Sequence, residues 1–445
     1  MAISEDAPLS PEEAATCREK AREVLSRLDQ TTDPKSSCWV RHNTNTANNT
    51  NTNIRNHDDD DGDDDDECKE KSKDAKYFDT HGFLVVPQFA SEEIVRDLKE
   101  QMKSLVKEHW HPFDKNTNTN GDDDDDDDGP TKKNKKIETF GTDAKANEAR
   151  GDYFLDSSNR VHYFAEQKAN LLLDNQVVVV VDDATNINGD DDDDDGETLI
   201  TERKISILNK AGHGMHNIPG AFQDYTLSDK MRNLVLDLGW KDPVVPQSMY
   251  IFKQAKIGGT VHSHQDSTFL YTTPRQTCLG LWLALDDATL ENGCLWARPG
   301  SHKEPLRRQF IRNPEYFEQL VEANNKQVPK GKDDVPQLKF LQHDENPKVH
   351  WDGGLPTTSL LEEGFIPIEV KAGDLVTFCG TLDHLSLPNF SDLPRHTFQL
   401  HLVEGPKEGI TWSPQNWLQY PEGAKFIQLV QDNDDGGDDE NKPQQ

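Results

Sequence analysis

The chain has 445 residues and a formal charge of −34, long enough for one large domain or two ordinary ones with a real core. That charge argues against nucleic acid as a partner, because phosphates would repel it. Much of it is local: the aspartate runs at 58–61, 63–66, 122–128 and 190–195 hold 21 carboxylates, and without them the rest of the chain carries −13.

The six cysteines, Cys17, Cys38, Cys68, Cys278, Cys294 and Cys379, form no CxxC pair, and three fall in a polar N-terminal region that reads as loosely ordered. This is the usage of a reducing compartment and not of a disulfide framework. No charged-then-apolar signal sequence opens the chain, and the final "NKPQQ" is no peroxisomal address. The most apolar run, 171–181, has eleven residues and contains an aspartate, too short and too polar to span a bilayer. The expectation is an intracellular, cytoplasmic protein with no membrane span, whose partner is a small molecule.

Taken in chain order, segments 43–66, 116–136 and 186–196 and the tail from about 432 are Asn- or Asp-rich and of low complexity. Such segments bury nothing that could offset their ordering entropy. They are expected to be disordered insertions, since clustered Asp without spaced ligands and a glycine makes a poor calcium loop. The predicted organisation is therefore an N-terminal helix and disordered segment over 1–75, one domain over 76–425 and an acidic tail over 426–445.

Within the domain, "YFDTHGFLVVPQFASEEIVRDLKEQMKSLV" predicts a strand at 83–87 and then a helix capped by Ser91. Ile94, Leu98, Met102 and Leu105 recur on one face of that helix. From Pro243 onward, "SMYIFK", "CLGLWLAL", "FIPIEV", "DLVTFCG" and "RHTFQLHL" are β-branched or alternating runs between turn residues. Many short antiparallel strands predict a mainly β fold with flanking helices, a jelly-roll barrel or sandwich.

The stretch "GTVHSHQDSTFLYTTP" at 259–274 carries the chemistry. HxD triplets also occur at 57–59 and 350–352, but only His264-Gln265-Asp266 adjoins strand on both sides. In an extended chain residues i and i+2 point the same way, so His264 and Asp266 can hold one ion from one strand. His262 shares that parity and is a spare. A site of two histidines and one carboxylate needs a third ligand from elsewhere. His384, after the apolar run "DLVTFCG", is the best candidate. A hairpin centred near Asn389 and Phe390 would make His384 and Arg395 cross-strand neighbours, placing a cation where a dicarboxylate cosubstrate could bind. Arg395, Thr397, Gln399 and His401 share one strand face, and Cys278, Gly280, Trp282 and Ala284 form a small-residue face that leaves room inside a barrel.

From about Tyr77 to Tyr420 the chain resembles the phytanoyl-CoA dioxygenase family, on "YFDTHGFLVVPQF", "QSMYIFKQ", "HQDSTFLYTTP", "LGLWLALDDATLENGCLWARPGSH" and "TWSPQNWLQ". The resemblance implies a cupin-like double-stranded β-helix, iron(II) as the metal, and 2-oxoglutarate and O2 as cosubstrates. It makes His264, Asp266 and His384 the iron ligands and Arg395 the partner of the distal carboxylate of 2-oxoglutarate, these four being the catalytic set. Ser386, Met249, Trp282 and Lys210 match cosubstrate-contacting positions. The implied reaction hydroxylates a small-molecule or lipid-like substrate with release of succinate and CO2, and the retained Asp266 favours hydroxylation over halogenation. The other class left open is a catalytically inactive acidic binding or ion-sequestering protein on the same scaffold.

Overall fold

The structure is a computed structural model that describes residues 8–31, 72–112, 137–169, 194–322, 335–343 and 360–430. The runs 43–66 and 116–136, most of 186–196, the tail from 432, and the triplets at 57–59 and 350–352 lie outside the described residues.

Two sheets face each other. The larger has nine strands, ordered Phe83–Val86, Leu375–Cys379, Leu279–Ala284, Thr397–Glu404, Pro243–Ile251, Leu208–His213, Val161–Glu166 and Thr139–Phe140, with Ile427–Gln428 paired beside Pro243–Ile251. The smaller has four, ordered Ile366–Ile368, Leu295–Ala297, His384–Ser386 and Val261–His264. Neighbours in the two sheets are antiparallel except the short pair at Thr139–Phe140. This is the jelly roll that the strand pattern predicts, and the double-stranded β-helix that the resemblance implies.

The alternation of side chains sorts the core into two layers. Leu279, Leu281, Leu283, Phe398, Leu400 and Leu402 point away from the barrel and pack with the helices Glu92–His109 and Asp229–Asp237. Trp282 and Ala284, on the other face of the same strand, join Trp296, Phe365 and Leu385 inside. Each fully buried Leu or Phe here contributes ~1.5–3 kcal/mol relative to exposure, so a one-residue slip of this strand would exchange both layers at once.

The helix Glu92–His109 starts at Ser91, whose Oγ accepts from the Ile94 amide at 3.3 Å. Its buried stripe is Val95, Leu98, Met102 and Val106. Ile94 is 37% exposed, so the predicted face is rotated by about one residue; the cap fixes where the helix starts, and the sheet beneath chooses which residues it covers. The helix Pro11–Thr31 falls where an N-terminal helix is expected, but one of its residues departs from expectation. Ala14, Cys17 and Ala21 are buried in the same cluster as Trp282 and Trp296, so Cys17 lies in a core and not in a loose polar segment. Arg18 of that helix bonds Glu369 at 2.9 Å and Glu291 at 2.8 Å.

One topological expectation fails. His384 is in the small sheet and Thr397–Glu404 in the large one, so "SLPNFSDLP" carries the chain from one sheet to the other and forms no hairpin. His384 and Arg395 approach the interior from opposite walls.

Candidate active site

The strand Val261–His264 ends at His264, which pairs in register with His384 of the neighbouring strand. Their ring centroids are 4.2 Å apart. Gln265 stays extended, at φ −117° and ψ 126°, and Asp266 opens the 3-10 turn Asp266–Thr268. The period of two thus carries the Asp266 side chain back to the face of His264. One donor atom from each of His264, Asp266 and His384 lies within 4.8 Å of the others.

The chain orients each of these donors. The Nδ1–H of His264 donates to the His262 carbonyl at 2.7 Å, and that of His384 to the Leu382 carbonyl at 3.0 Å. Because a carbonyl only accepts, each ring carries its proton on Nδ1 and offers the Nε2 lone pair to the centre. The two Nε2 atoms lie 3.3 and 3.6 Å from Asp266 Oδ1. Asp266 Oδ2 accepts from His401 Nε2 at 3.1 Å. Burial, then neighbouring His264, pushes the His384 pKa down to about 4, so the imidazole is neutral at pH 7. Burial alone would raise the Asp266 pKa, but His401 and His384 outweigh it and hold the carboxyl well below the usual range. Two imidazole nitrogens and one carboxylate form a donor set that could hold iron(II) with positions left open.

Phe378 closes the wall beside His384, at 4.6 Å between ring centroids. It fits there because residue 280 is glycine: a Cβ on Gly280 would lie 2.4 Å from Phe378 Cε2.

Arg395 enters from the other sheet and is 2% exposed. Its Nη2 donates to the Gly293 carbonyl at 2.8 Å and to Ser386 Oγ at 3.3 Å, while Ser386 Oγ itself donates to Gly293 O at 2.8 Å. The Arg395 Nε–H is buried with no hydrogen-bond partner, and among the described residues no carboxylate lies within ion-pair distance of this guanidinium. Burial pushes its pKa down to about 10, which leaves it charged at pH 7. A buried cation with an unused N–H edge fits an incoming carboxylate. Met249 and Trp282 flank Gln399 in register and form one row across the wall, and the Arg395 guanidinium lies 5.2 Å from the Trp282 ring centroid.

Lys210 is buried on the strand Leu208–His213. Its ammonium donates to His213 Nε2 at 2.8 Å, touches Met249 Sδ at 3.7 Å and lies 3.6 Å from the Phe140 ring centroid. His264, Asp266, His384, Arg395, Ser386, Met249, Trp282 and Lys210 all line one cavity of about 200 Å³. His262 also lines it, but its Nδ1 bonds Thr142 Oγ1 at 2.9 Å and it stands outside the three-donor group.

Two further groups, Arg150 and His213, were not picked out from the sequence, and a third, His401, was placed on its strand face without a role. The inward parity of the row from Arg395 to His401 points His401 at the cavity, though nothing in the row says that it holds Asp266. Arg150 and His213, both cavity-lining, sit in stretches with no periodic signal.

The chain matches the sequence profile of the family described as phytanoyl-CoA dioxygenase (PhyH) over residues 78–397. It is 35% identical to a phytanoyl-CoA dioxygenase of Arabidopsis thaliana over 77% of this chain and 91% of that protein. It is 33% identical to phytanoyl-CoA dioxygenase domain-containing protein 1 of Rattus norvegicus, over 77% of this chain and 93% of that one. Among solved structures it is similar to the non-heme alpha ketoglutarate dependent epimerase SnoN from nogalamycin biosynthesis, at 11% identity and a TM-score of 0.43, covering 83% of this chain and 98% of that one.

Proposed function

We propose that this chain, which belongs to the phytanoyl-CoA dioxygenase family and is an iron(II)- and 2-oxoglutarate-dependent dioxygenase, hydroxylates a carbon of a small or lipid-like molecule with release of succinate and CO2. His264, Asp266 and His384 hold the iron, and Arg395 takes the distal carboxylate of 2-oxoglutarate. Bound iron supplies the oxidising chemistry. The protein's part is to aim three donors at one point, to keep Asp266 ionised through His401, and to hold a charged guanidinium where the far end of a dicarboxylate can reach it. Ser386 shares that end by turning its hydroxyl from Gly293 O toward the carboxylate, and Met249 and Trp282 wall the cosubstrate in.

The observation that carries this reading is the pairing, in one cavity, of three convergent donors with a buried guanidinium whose Nε–H has no partner. The cavity of about 200 Å³ is smaller than the roughly 300–1,000 Å³ of a typical ligand pocket. It suits 2-oxoglutarate plus the reacting end of a substrate. The test is succinate release from 2-oxoglutarate by iron-loaded protein, with and without candidate substrates. Absence of any 2-oxoglutarate turnover across such a panel would overturn the reading.

A further inference from the structure

Lys210 lines the cavity from the large sheet, in company with Met249 and Arg395. Its ammonium contacts His213 Nε2 at 2.8 Å and Met249 Sδ at 3.7 Å, and lies 3.6 Å from the Phe140 ring centroid. Among the described residues no carboxylate lies within ion-pair distance of it. The Arg150 guanidinium stands 4.2 Å from the same Phe140 ring centroid, and burial first, then this like charge, pushes the Lys210 pKa well down. A buried ammonium needs an acceptor. A thioether sulfur accepts only weakly, so the imidazole of His213 is the partner that sets the direction of the ammonium.

That imidazole is itself fixed from behind. Ser157 Oγ donates to the Phe154 carbonyl at 2.6 Å and lies 2.7 Å from His213 Nδ1. With its own proton committed to the carbonyl, the hydroxyl can only accept from Nδ1–H, so the ring turns the Nε2 lone pair to the ammonium. His213 is fully buried, and burial, then the charges of Lys210 and Arg150, hold its pKa well below the usual histidine range. The ring is therefore neutral at pH 7. Phe154 and Trp417 meet it edge-on, at centroid distances of 5.2 and 4.9 Å. The turn that carries Ser157 comes this close because residue 214 is glycine: a Cβ there would lie 2.6 Å from the Asn159 carbonyl carbon. A carboxylate in the place of His213 would hold the ammonium and also cancel its charge, whereas a neutral imidazole sets direction and leaves the charge for an anion in the cavity.

We infer that His213 is a positioning residue for the cosubstrate: the chain of Phe154 carbonyl, Ser157 hydroxyl and His213 imidazole aims the Lys210 ammonium at a carboxylate of 2-oxoglutarate. The inference rests on the dioxygenase reading and on Lys210 as a cosubstrate contact. His213 does not touch the cosubstrate itself, so its whole effect passes through Lys210.

The test is a double-mutant cycle on the full chain, read as calorimetric 2-oxoglutarate affinity of the anaerobic iron(II) complex, with iron(II) affinity of the apo protein as control. Lys210→Met should weaken 2-oxoglutarate binding at least about tenfold, the size of a hydrogen bond to a charged group. His213→Phe keeps a ring between Phe154 and Trp417 and removes the acceptor. It should cost about tenfold in the wild-type background but no more than about twofold on top of Lys210→Met. His213→Gln, which keeps a side-chain acceptor, should recover to within about threefold of wild type. Iron(II) affinity should match wild type throughout. Nitrogen-15 spectra of the apo protein's imidazoles should place the His213 proton on Nδ1, and Ser157→Ala should spread it over both nitrogens. An equal loss from His213→Phe with and without Lys210 would make His213 a packing residue and overturn the inference, as would a wild-type His213 proton on Nε2. Lys210→Met binding 2-oxoglutarate as tightly as a competent wild type would overturn it without touching the dioxygenase reading, whereas a wild type that binds no 2-oxoglutarate would remove that reading and this inference with it.

Discussion

The small sheet and the large sheet present opposite chemistry to the cavity between them. From the small sheet come His264 and His384, with Asp266 just past its edge, and the chain has already satisfied their spare polar atoms: each Nδ1–H is bonded to a backbone carbonyl, and the free Asp266 oxygen to His401. Lone pairs are all that is left to point inward. From the large sheet come Lys210 and, just before its strand, Arg395, both buried and, among the described residues, without a carboxylate within ion-pair distance. One wall is finished as a cation site before any cation arrives, and the other stays unfinished until an anion does. A metal centre needs its ligands preset in direction, whereas a diacid can bring its own counter-charge.

The largest effect should come from breaking the small-sheet wall. His264→Ala or His384→Ala removes one of three ligands and should lower iron(II) affinity by more than the roughly 10–100-fold typical of losing an outer partner, with loss of 2-oxoglutarate turnover. Titration of iron(II) into apo protein and a succinate assay report the two effects. Unchanged affinity would mean that the site is misplaced and would return His262 and His401 to consideration.

On the facing wall, Arg395→Ala should weaken 2-oxoglutarate binding to the anaerobic iron complex by about 2–5 kcal/mol, since a partly buried carboxylate loses its partner. Arg395→Lys should fall between that variant and wild type, because an ammonium cannot reproduce two parallel hydrogen bonds in one plane. Iron affinity should stay as in wild type for both. If it fell in step with 2-oxoglutarate affinity, the two walls would not be separable.

His401 sharpens the contrast, because it stands on the large sheet but serves the small one. His401→Leu should weaken iron binding roughly 10–100-fold by releasing Asp266, and His401→Gln, which keeps an N–H donor, should recover part of the loss. An iron titration in which both variants match wild type would leave His401 as mere packing. The smallest effect should come from the Asn- and Asp-rich runs. Deleting 43–66 and shortening 116–128 should leave turnover intact and shift stability by no more than about 0.6 kcal/mol per doubling of loop length, as read by thermal melting; loss of turnover would assign those acidic runs a part in the chemistry.

That His264, Asp266 and His384 come together was legible in the sequence because the signal is local: the period of two in an extended chain joins His264 to Asp266, and a strand end marks His384. The small-residue face of Gly280, Trp282 and Ala284 was legible for the same reason. The supposed hairpin after His384 was not, since Asn, Pro and Asp announce that a chain bends without saying which sheet it joins next. The helical stripe at Ile94 and Leu105 was misread by one residue because hydrophobic spacing admits two overlapping faces, and packing against the sheet selects the one with Val95 and Val106. Arg150 left no trace, since it lies in a stretch with no periodic signal and reaches the cavity only in three dimensions.

The helix Pro11–Thr31 bears on how the molecule opens. Its Arg18 is tied to Glu369, next to the strand Ile366–Ile368, and to Glu291, in the turn that leads to Gly293, while Glu369 also receives the Leu290 amide at 3.0 Å. The carbonyl of Gly293 is the one that anchors Arg395 and Ser386. With Ala14, Cys17 and Ala21 sunk into the cluster that contains Trp282 and Trp296, the helix cannot lift away without exposing the outermost strand of the small sheet and loosening that turn. Its amides should therefore exchange with solvent in the same slow, sub-global event as those of Ile366–Ile368, and not with the fast fraying of a chain end.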